Sequence, residues 1–261
     1  MFTLGIDIGS TTSKCVILED GKRIVTKNLV KRGTGSDGPD IAVKKSLEDA
    51  KLSMDDISCI ISTGYGRNNF AQANGNKSEL SCHARGAFFT DPETKTIIDI
   101  GGQDAKVIFL NENGVINNFL MNDKCAAGTG RFLDVMSGIL NVDINDLGDY
   151  ALKSMHPITI SSTCTVFAES EVISQLSKGV DIHDLVAGIC QSVASRTANL
   201  AKRGKISSKI YMSGGVALNK GVRKALSQEL NDEINFNPDA QFMGALGASL
   251  LAYESLKKNL N

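Results

Sequence analysis

The sequence predicts a two-lobed α/β protein, and a repeated pattern is the main reason. An apolar strand ends in Asp-Ile-Gly, a polar turn follows, and a second apolar strand comes next, first within residues 2–18 and again within residues 96–109. Runs with the 3.6-residue spacing of helices follow these hairpins. The chain has 261 residues, a length that suits two modest domains with separate cores. We therefore expect two lobes, each with one copy of the hairpin.

Composition excludes several classes of protein. Apolar residues make up 42% of the chain, charged residues 22%, and the net charge is -1, values that do not indicate a disordered tail or a nucleic-acid binder. The absence of Trp also argues against a stacking platform for single-stranded nucleic acid. The first residues lack a signal sequence, and no stretch reaches the roughly 18 apolar residues of a membrane span. We expect a cytoplasmic protein with no membrane or nucleic-acid partner.

The first hairpin has a turn suited to phosphate. Residues 9–14 are Gly-Ser-Thr-Thr-Ser-Lys, and such a turn presents N–H and hydroxyl donors without bulky side chains. Lys14 adds a cation, and Asp7 at the strand end is placed to hold Mg²⁺ through its water shell. The alternative is an ordinary hairpin with a polar turn. The Walker phosphate loop is excluded, because its Gly-x-x-x-x-Gly-Lys-Ser/Thr pattern is missing.

Further elements follow in order. A strand is expected at residues 22–30, and a glycine-rich loop leads to a helix at 41–50. A strand at 57–62 runs into a second glycine-bearing loop at 63–67, and a helix begins near 79. His83 stands beside Cys82, but we reject a metal site there because two adjacent ligands without a second pair seldom suffice.

The second hairpin and a third glycine-containing motif, together with the first hairpin, form a set of three motifs suited to bind a nucleotide. Residues 99–104 read Asp-Ile-Gly-Gly-Gln-Asp, and residues 213–219 read Ser-Gly-Gly-Val-Ala-Leu-Asn after another strand. Duplicated hairpins can bracket the phosphates of one nucleotide, one from each lobe, while an Asp at each turn serves Mg²⁺ and the attacking water. The Gly pair lets a ligand lie close to the backbone, and Asn219 begins the next helix.

The six cysteines are widely spaced, which argues against a disulfide framework. Cys125 precedes Gly128-Thr129-Gly130 and an amphipathic run, so its thiol is expected near a helix N-terminus, where the helix dipole favours a thiolate. Cys164 likewise precedes a run that can be helical, from Val166 to Leu176. The alternative for Cys125 is a small buried cysteine.

Two resemblances follow from these segments. Residues 7–12, 99–104 and 213–219 resemble the phosphate-1, phosphate-2 and adenosine motifs of the actin, sugar-kinase and heat-shock-chaperone ATPase superfamily. More narrowly, residues 122–132 and 161–171 resemble the activator component of the 2-hydroxyacyl-CoA dehydratases, a family that includes the ATPase subunits of benzoyl-CoA reductase. The match covers nearly the whole chain, and the two cysteine segments are its most specific part.

The resemblance implies a fold and a domain arrangement. We expect a two-lobed actin-like ATPase with ribonuclease H-like lobes and a nucleotide cleft between them. Residues 1–95 and 240–261 form the first expected lobe, and residues 96–239 form the second, which carries the cysteine helices.

The resemblance also implies an activity. The chain is expected to be an ATP-hydrolysing one-electron donor that activates a 2-hydroxyacyl-CoA dehydratase in anaerobic amino-acid fermentation, with ferredoxin or flavodoxin as its own donor. The implied cofactors are ATP/ADP, Mg²⁺ and one [4Fe-4S] cluster per homodimer. Such a cluster usually takes four thiolates, and a two-fold dimer supplies them as Cys125 and Cys164 from each subunit.

Residue roles are carried over by position. Asp7 and Asp99 are expected to order Mg²⁺ and its waters, and either Gln103 or Asp104 is expected to orient the attacking water. The expected nucleotide-binding residues are Ser10, Thr11, Thr12, Lys14, Gly101, Gly102, Gln103, Gly128, Thr129, Gly130, Gly214, Gly215, Asn219 and Gln241.

Two rival functions remain at this point. A small-molecule kinase of the acetylglucosamine-kinase type shares the expected fold, but it would need room for a sugar site and leaves the cysteine segments unexplained. An actin-like filament protein would polymerise with ATP and contain no iron.

Overall fold

The computed structural model describes residues 1–161 and 164–260. Ser162 and Thr163 of the second cysteine segment lie outside the described residues, as does Asn261. The chain divides into two compact units. The first consists of residues 1–94, 111–116 and 241–261, and the second of residues 95–110 and 117–240.

The first unit is built on a five-stranded sheet in the order β3-β2-β1-β4-β5. Its strands are β1 (Phe2–Ile8), β2 (Ser13–Glu19), β3 (Arg23–Val30), β4 (Ile57–Thr63) and β5 (Gly75–Asn76). The first three form an antiparallel meander, and β4 runs parallel to β1. The helices of this unit are α1 (Gly38–Ala50), α2 (Glu79–Thr90) and α8 (Met243–Leu260).

Small residues explain how α8 lies directly on β1. A side chain at Gly5 would overlap the backbone of Ala245 and Ser249 in α8. The hydroxyl groups of Thr3 and Ser249 lie 3.0 Å apart in this contact, which satisfies two polar groups that are otherwise buried. The C-terminal helix thus completes the core beneath the first hairpin.

The second unit contains another five-stranded sheet, in the order β10-β9-β6-β7-β8. Its strands are β6 (Thr96–Ile100), β7 (Ala105–Leu110), β8 (Ile116–Asn122), β9 (Ile210–Ser213) and β10 (Ile234–Asn235). Its helices are α3 (Gly130–Leu140), α4 (Leu147–Leu152), α5 (Thr165–Ser177), α6 (Ile182–Lys202) and α7 (Lys220–Leu230). Of the residues predicted as the apolar face of α3, Phe132, Leu133, Met136 and Leu140 are buried and Ile139 is partly buried.

The two sheets share one topology. Read from β8, the second sheet has the order β8-β7-β6-β9-β10, which matches β3-β2-β1-β4-β5. In both, the first strand of the hairpin pairs antiparallel with the next strand and parallel with the fourth strand of its sheet. The repeat read from two hairpins therefore extends to whole sheets, and the predicted α/β class is confirmed.

In the described part of the chain, no helix is both long enough and apolar enough to cross a membrane.

Candidate functional site

The turn of the first hairpin is tight and held by backbone bonds. Gly9 N–H donates to the Thr12 carbonyl at 2.9 Å, so Ser10 and Thr11 lie at the tip. Thr11 is exposed, whereas Ser10, Thr12 and Lys14 are partly buried. The loops that follow β3 and β4 also bond the start of this turn. Thr34 N–H donates to Gly9 O and Gly66 N–H donates to Ile8 O, each at 2.9 Å.

Asp7 lies directly beneath this turn. Its carboxylate is buried, and Lys14, its register partner on β2, places Nζ 3.1 Å from Oδ2. Gly64 follows β4 with φ +85°, and a Cβ there would lie 2.5 Å from Asp7 Oδ1. Close approach of backbone to the carboxylate therefore requires glycine at this position. Lys14, expected to contact phosphate, is bonded to the predicted Mg²⁺ ligand in this structure.

The second hairpin repeats this arrangement with one more carboxylate. Gly101 N–H donates to the Asp104 carbonyl at 2.9 Å, the counterpart of the Gly9–Thr12 bond. Lys106 is 2% exposed, and its Nζ lies 3.5 Å from Asp99 Oδ2 and 2.8 Å from Asp104 Oδ2. A buried lysine between two carboxylates is well compensated, since its charge is paired on two sides.

Asp99 is also bonded by the third motif. Ser213 at the end of β9 donates its hydroxyl to Asp99 Oδ1 at 2.9 Å. Gly214 follows with φ +83°, and a Cβ there would lie 2.8 Å from the same oxygen and closer still to Ile100 O. Gly214 and Gly64 are equivalent, because each has a positive φ and brings its backbone against the buried aspartate of its own sheet. The sequence analysis did not predict this equivalence. The signal that could have found it is a Thr-Gly or Ser-Gly pair at the end of β4 and of β9.

The two polar residues predicted to orient water lie in different environments. Gln103 is exposed at the tip of the second turn. Asp104 is 3% exposed and forms the ion pair with Lys106. The Gln103 side chain is therefore accessible from solvent, whereas the adjacent Asp104 carboxylate contacts Lys106.

The remainder of the third motif begins α7. Asn219 is the N-cap, and its Oδ1 accepts a hydrogen bond from Val222 N–H at 3.0 Å. Its Nδ2 is buried and has no hydrogen-bond partner among the described residues. Gly215 starts a short 3-10 turn after Gly214, and Gln241 lies partly buried in another, Ala240–Phe242.

Exposure divides the six cysteines into two groups. Burial raises the pKa of the Cys15, Cys82 and Cys190 thiols to about 12, and it also raises the pKa of Cys59. These four are therefore poor sources of thiolate at neutral pH and belong to the core. The two cysteines of the matched segments, Cys125 and Cys164, are exposed.

Asn122 holds the backbone of Cys125 on both sides of the residue. Its Oδ1 accepts from Cys125 N–H at 3.2 Å, and its Nδ2 donates to Cys125 O at 2.9 Å. Cys125 is the N-cap of a 3-10 turn, Ala126–Gly128, and α3 begins only at Gly130. The thiol thus precedes a helical turn as predicted, but a short turn separates it from α3.

Cys164 is the N-cap of α5, and its carbonyl accepts from Ala168 N–H at 2.9 Å. Glu171, on the same helix, accepts hydrogen bonds from both Ser161 N–H at 3.0 Å and Ser161 Oγ at 2.9 Å. The chain entering the second cysteine segment is therefore fixed to the helix that leaves it.

Backbone bonds join the Cys125 segment to the second turn. Gly130 N–H donates to Gly101 O and Arg131 N–H donates to Gly102 O, each at 2.8 Å. First-turn N–H groups of a helix lack intrahelical partners, and here two of them bond carbonyls of the turn. Gly128 and Thr129 are buried, and Thr129 has no exposed surface. The segment and the turn consequently form one bonded structure.

An iron-sulfur cluster or another thiolate-bound metal fits the chemistry of the exposed pair. Both are N-caps, and Cys164 caps the 13-residue helix α5, where backbone N–H groups favour negative charge. Two thiolates from one chain are half of the set that a [4Fe-4S] cluster usually takes.

Comparisons with known proteins show the family of this chain. The profile of the BadF/BadG/BcrA/BcrD ATPase family matches residues 4–252. The chain is 57% identical to the (R)-2-hydroxyglutaryl-CoA dehydratase activating ATPase of Acidaminococcus fermentans, over 99% of both chains. It superposes with a TM-score of 0.98 on the activator of the 2-hydroxyisocaproyl-CoA dehydratase from Clostridium difficile with bound ADPNP, at 52% identity and covering 100% of this chain and 97% of that one.

A more distant structure shares the fold alone. The ROK hexokinase from Thermus thermophilus superposes with a TM-score of 0.55 at 13% identity, covering 99% of this chain and 100% of that chain. The predicted actin-like ATPase fold and the resemblance to dehydratase activators are confirmed, whereas the kinase likeness does not extend beyond the fold.

Proposed function

The chain belongs to the BadF/BadG/BcrA/BcrD ATPase family, and from this premise we propose that it is an ATPase that activates a 2-hydroxyacyl-CoA dehydratase by ATP-driven one-electron transfer. One observation carries the proposal beyond the family. Cys125 and Cys164 are exposed at N-cap positions, whereas the other four cysteines are buried in the cores. A sugar kinase of the same fold gives no reason for this division.

Cys125 and Cys164 would hold the metal centre. A homodimer brings these two thiols from each subunit to the two-fold axis, which completes a set of four. When bound there, a [4Fe-4S] cluster supplies one-electron chemistry at low potential. The protein contributes thiolates, fixes the backbone of Cys125 through Asn122, and bonds Ser161 to Glu171 of the helix that follows Cys164.

The hairpin turns supply the phosphate contacts. The N–H groups and hydroxyls of residues 10–12 and the N–H groups of residues 101–103 are the donors that we assign to the phosphates. Asp7 and Asp99 are assigned to Mg²⁺ and its waters. Lys14 would have to exchange Asp7 for phosphate when nucleotide binds, because its Nζ is bonded to Asp7 in this structure. Gly214, Gly215, Asn219 and Gln241 are assigned to the adenosine side.

Between Gln103 and Asp104, we assign the orientation of the attacking water to Gln103. Its side chain is exposed, whereas the Asp104 carboxylate is buried and paired with Lys106. Asp104 then has a structural role, which is to pair with the lysine beside Asp99.

ATP hydrolysis is a large enough energy source for the proposed step. Lowering the potential of a one-electron centre by about 0.2 V requires roughly 5 kcal/mol. The bonded junction of the second turn with α3 offers a route by which phosphate chemistry reaches the Cys125 segment. We propose a ferredoxin or flavodoxin as the electron donor. Which acyl-CoA the partner dehydratase uses is a property of that partner, and activators for at least two acyl groups are comparably similar to this chain.

Iron content tests the metal assignment. We expect anaerobically purified protein to contain about four iron atoms per dimer. Cys125→Ala and Cys164→Ala should each lose the iron, because each removes two of the four thiolates in a dimer. Cys59→Ala is the matched control and should keep the iron, since Cys59 is buried.

Loss of iron in only one of the Cys125→Ala and Cys164→Ala variants would break the four-thiolate assignment. A colourless, iron-free wild-type protein that phosphorylates a sugar would overturn the proposed function itself.

A further inference from the structure

Thr129 occupies the junction between the Cys125 segment and the second turn. The residue has no exposed surface, and it lies between the 3-10 turn Ala126–Gly128 and the first residue of α3. Its N–H donates to Ala126 O at 3.0 Å, so the backbone closes the turn that follows Cys125. The resemblance implies nucleotide binding by Thr129, whereas this structure buries the residue and bonds its hydroxyl to protein groups.

The hydroxyl of Thr129 faces two acceptors. Its Oγ1 lies 2.7 Å from Ala126 O and 3.2 Å from Gly102 O. A hydroxyl has a single proton to donate, so these two carbonyls compete for it. The shorter distance shows that Ala126 O holds the larger share in this structure.

The competing carbonyls belong to different parts of the proposed machinery. Ala126 is the residue after Cys125, and Gly102 is in the turn assigned to phosphate. Two other bonds cross the junction, from Gly130 N–H and Arg131 N–H, and each has one acceptor in the turn. Each of these two backbone N–H groups has a single acceptor in the turn, whereas the Thr129 hydroxyl can donate to either of two carbonyls.

A bound phosphate would alter that choice. Gly102 C=O and Gln103 N–H are the two ends of one peptide group. When that N–H donates to an anion, the peptide becomes more polarised and its carbonyl becomes a stronger acceptor, because hydrogen bonds in a chain reinforce one another. The Thr129 proton then moves toward Gly102 O, and the turn that follows Cys125 loses a bond.

We propose that Thr129 is the positioning residue that couples phosphate at the second turn to the backbone of Cys125. The inference rests on the proposed function, because it takes residues 101–103 as phosphate donors and Cys125 as a thiolate ligand. Thr129 contacts neither group. It acts through Gly102 on one side and through Ala126 on the other.

The test compares Thr129→Val, which keeps the shape and removes the hydroxyl, with Thr129→Ser, which keeps the hydroxyl. In anaerobically purified protein, the release of iron to a chelator is timed with MgADP and with MgADPNP. We expect the rate to differ between the two nucleotides by about fivefold or more in wild type and in Thr129→Ser, the factor that one net hydrogen bond supplies. In Thr129→Val the two rates should become nearly equal, at unchanged iron content.

A second measurement is independent of iron. In protein freed of metal, alkylation of Cys125 is timed with and without MgADPNP, and Cys164 in the same molecule serves as the reference. We expect the nucleotide to change the Cys125 rate in wild type and Thr129→Ser but not in Thr129→Val. Thr129→Ala replaces Thr129→Val if the valine variant does not fold.

A full nucleotide effect on Cys125 in Thr129→Val or Thr129→Ala overturns the proposal, as does its absence in wild type. A protein that lacks iron after anaerobic purification but still shows the alkylation effect would overturn the metal assignment and leave the role of Thr129 intact.

Discussion

At the scale of single residues, the two hairpins differ most in the surroundings of their lysines. Lys14 pairs with Asp7 alone, and its side chain is 16% exposed. Lys106 is 2% exposed and bonds both Asp99 and Asp104. Removing the cation from a buried set of charges leaves uncompensated carboxylates, so the second lysine should matter more for stability.

We expect Lys106→Met to lower the free energy of unfolding by about 3–5 kcal/mol, the usual loss when one partner of a buried pair is removed. Lys14→Met is the matched control and should cost about 1–3 kcal/mol, because only one buried carboxylate loses its partner. Urea denaturation of both variants measures the difference. Equal losses would contradict a structural role that is specific to Lys106.

Some of these residues were predictable from the sequence and some were not. Asp7 and Asp99 follow from the strand-turn pattern, since each ends an apolar strand before glycine. Gln103 and Asp104 are adjacent and polar, so only their burial separates them. Lys106 was missed as a site residue, although a lysine in an apolar strand opposite Asp99 in register was a signal.

At the scale of elements, glycines after β4 and β9 bring the backbone against the buried aspartates. Gly214 has φ +83°, and any side chain there meets Asp99 and the carbonyl of Ile100. Gly179 has φ +77° with no atom within 4 Å of the position of a Cβ. The two positions share the strain of a left-handed backbone but differ in the space around them.

Gly179→Ala should therefore cost about 1 kcal/mol, from backbone strain alone. We expect Gly214→Ala to cost about 1–3 kcal/mol more, because the added methyl group displaces Asp99 or the chain end of β6. It should also weaken ADPNP binding, whereas Gly179→Ala should leave it unchanged. Thermal unfolding with and without ADPNP gives both quantities, and similar losses in the two variants would contradict this interpretation.

The sequence predicted elements with strong periodicity better than the connections between them. The apolar face of α3 was clear because large residues recur at helical spacing. The 3-10 turn between Cys125 and α3 was not predicted, since it depends on bonds to Asn122 and to residues of the second turn. Helix α6 was also not placed, although Leu185, Ile189 and Val193 recur at helical spacing and were a usable signal.

At the scale of the whole molecule, the site depends on pairings between distant parts of the chain. β9 lies beside β6, and Ser213 bonds Asp99 across 114 positions of sequence. No local pattern encodes such a pairing, so the sequence indicated two hairpins but not that both sheets have the same strand order. The resemblance to a family supplied the fold that the pattern alone left open.

The proposed metal centre also depends on more than one part of the molecule, because each chain carries only half of its proposed ligands. The division of six cysteines into four buried and two exposed agrees with that interpretation. The apolar or helical sequence surroundings of the other four cysteines favour core or surface positions, and only the packing of both cores shows that all four are buried. The division places Cys125 and Cys164 at the surface, where a second copy of the chain can reach them.

The most direct test of the central claim is ATP-dependent activation of a dehydratase. Reduced wild-type protein is mixed anaerobically with each dehydratase whose activator is 52–57% identical to this chain, and formation of the enoyl-CoA product is followed with ATP and with ADPNP. We expect activation of at least one dehydratase with ATP, little with ADPNP, and none with Cys125→Ala. Activation that is equal with ATP and ADPNP, or that survives in Cys125→Ala, would contradict the proposed function.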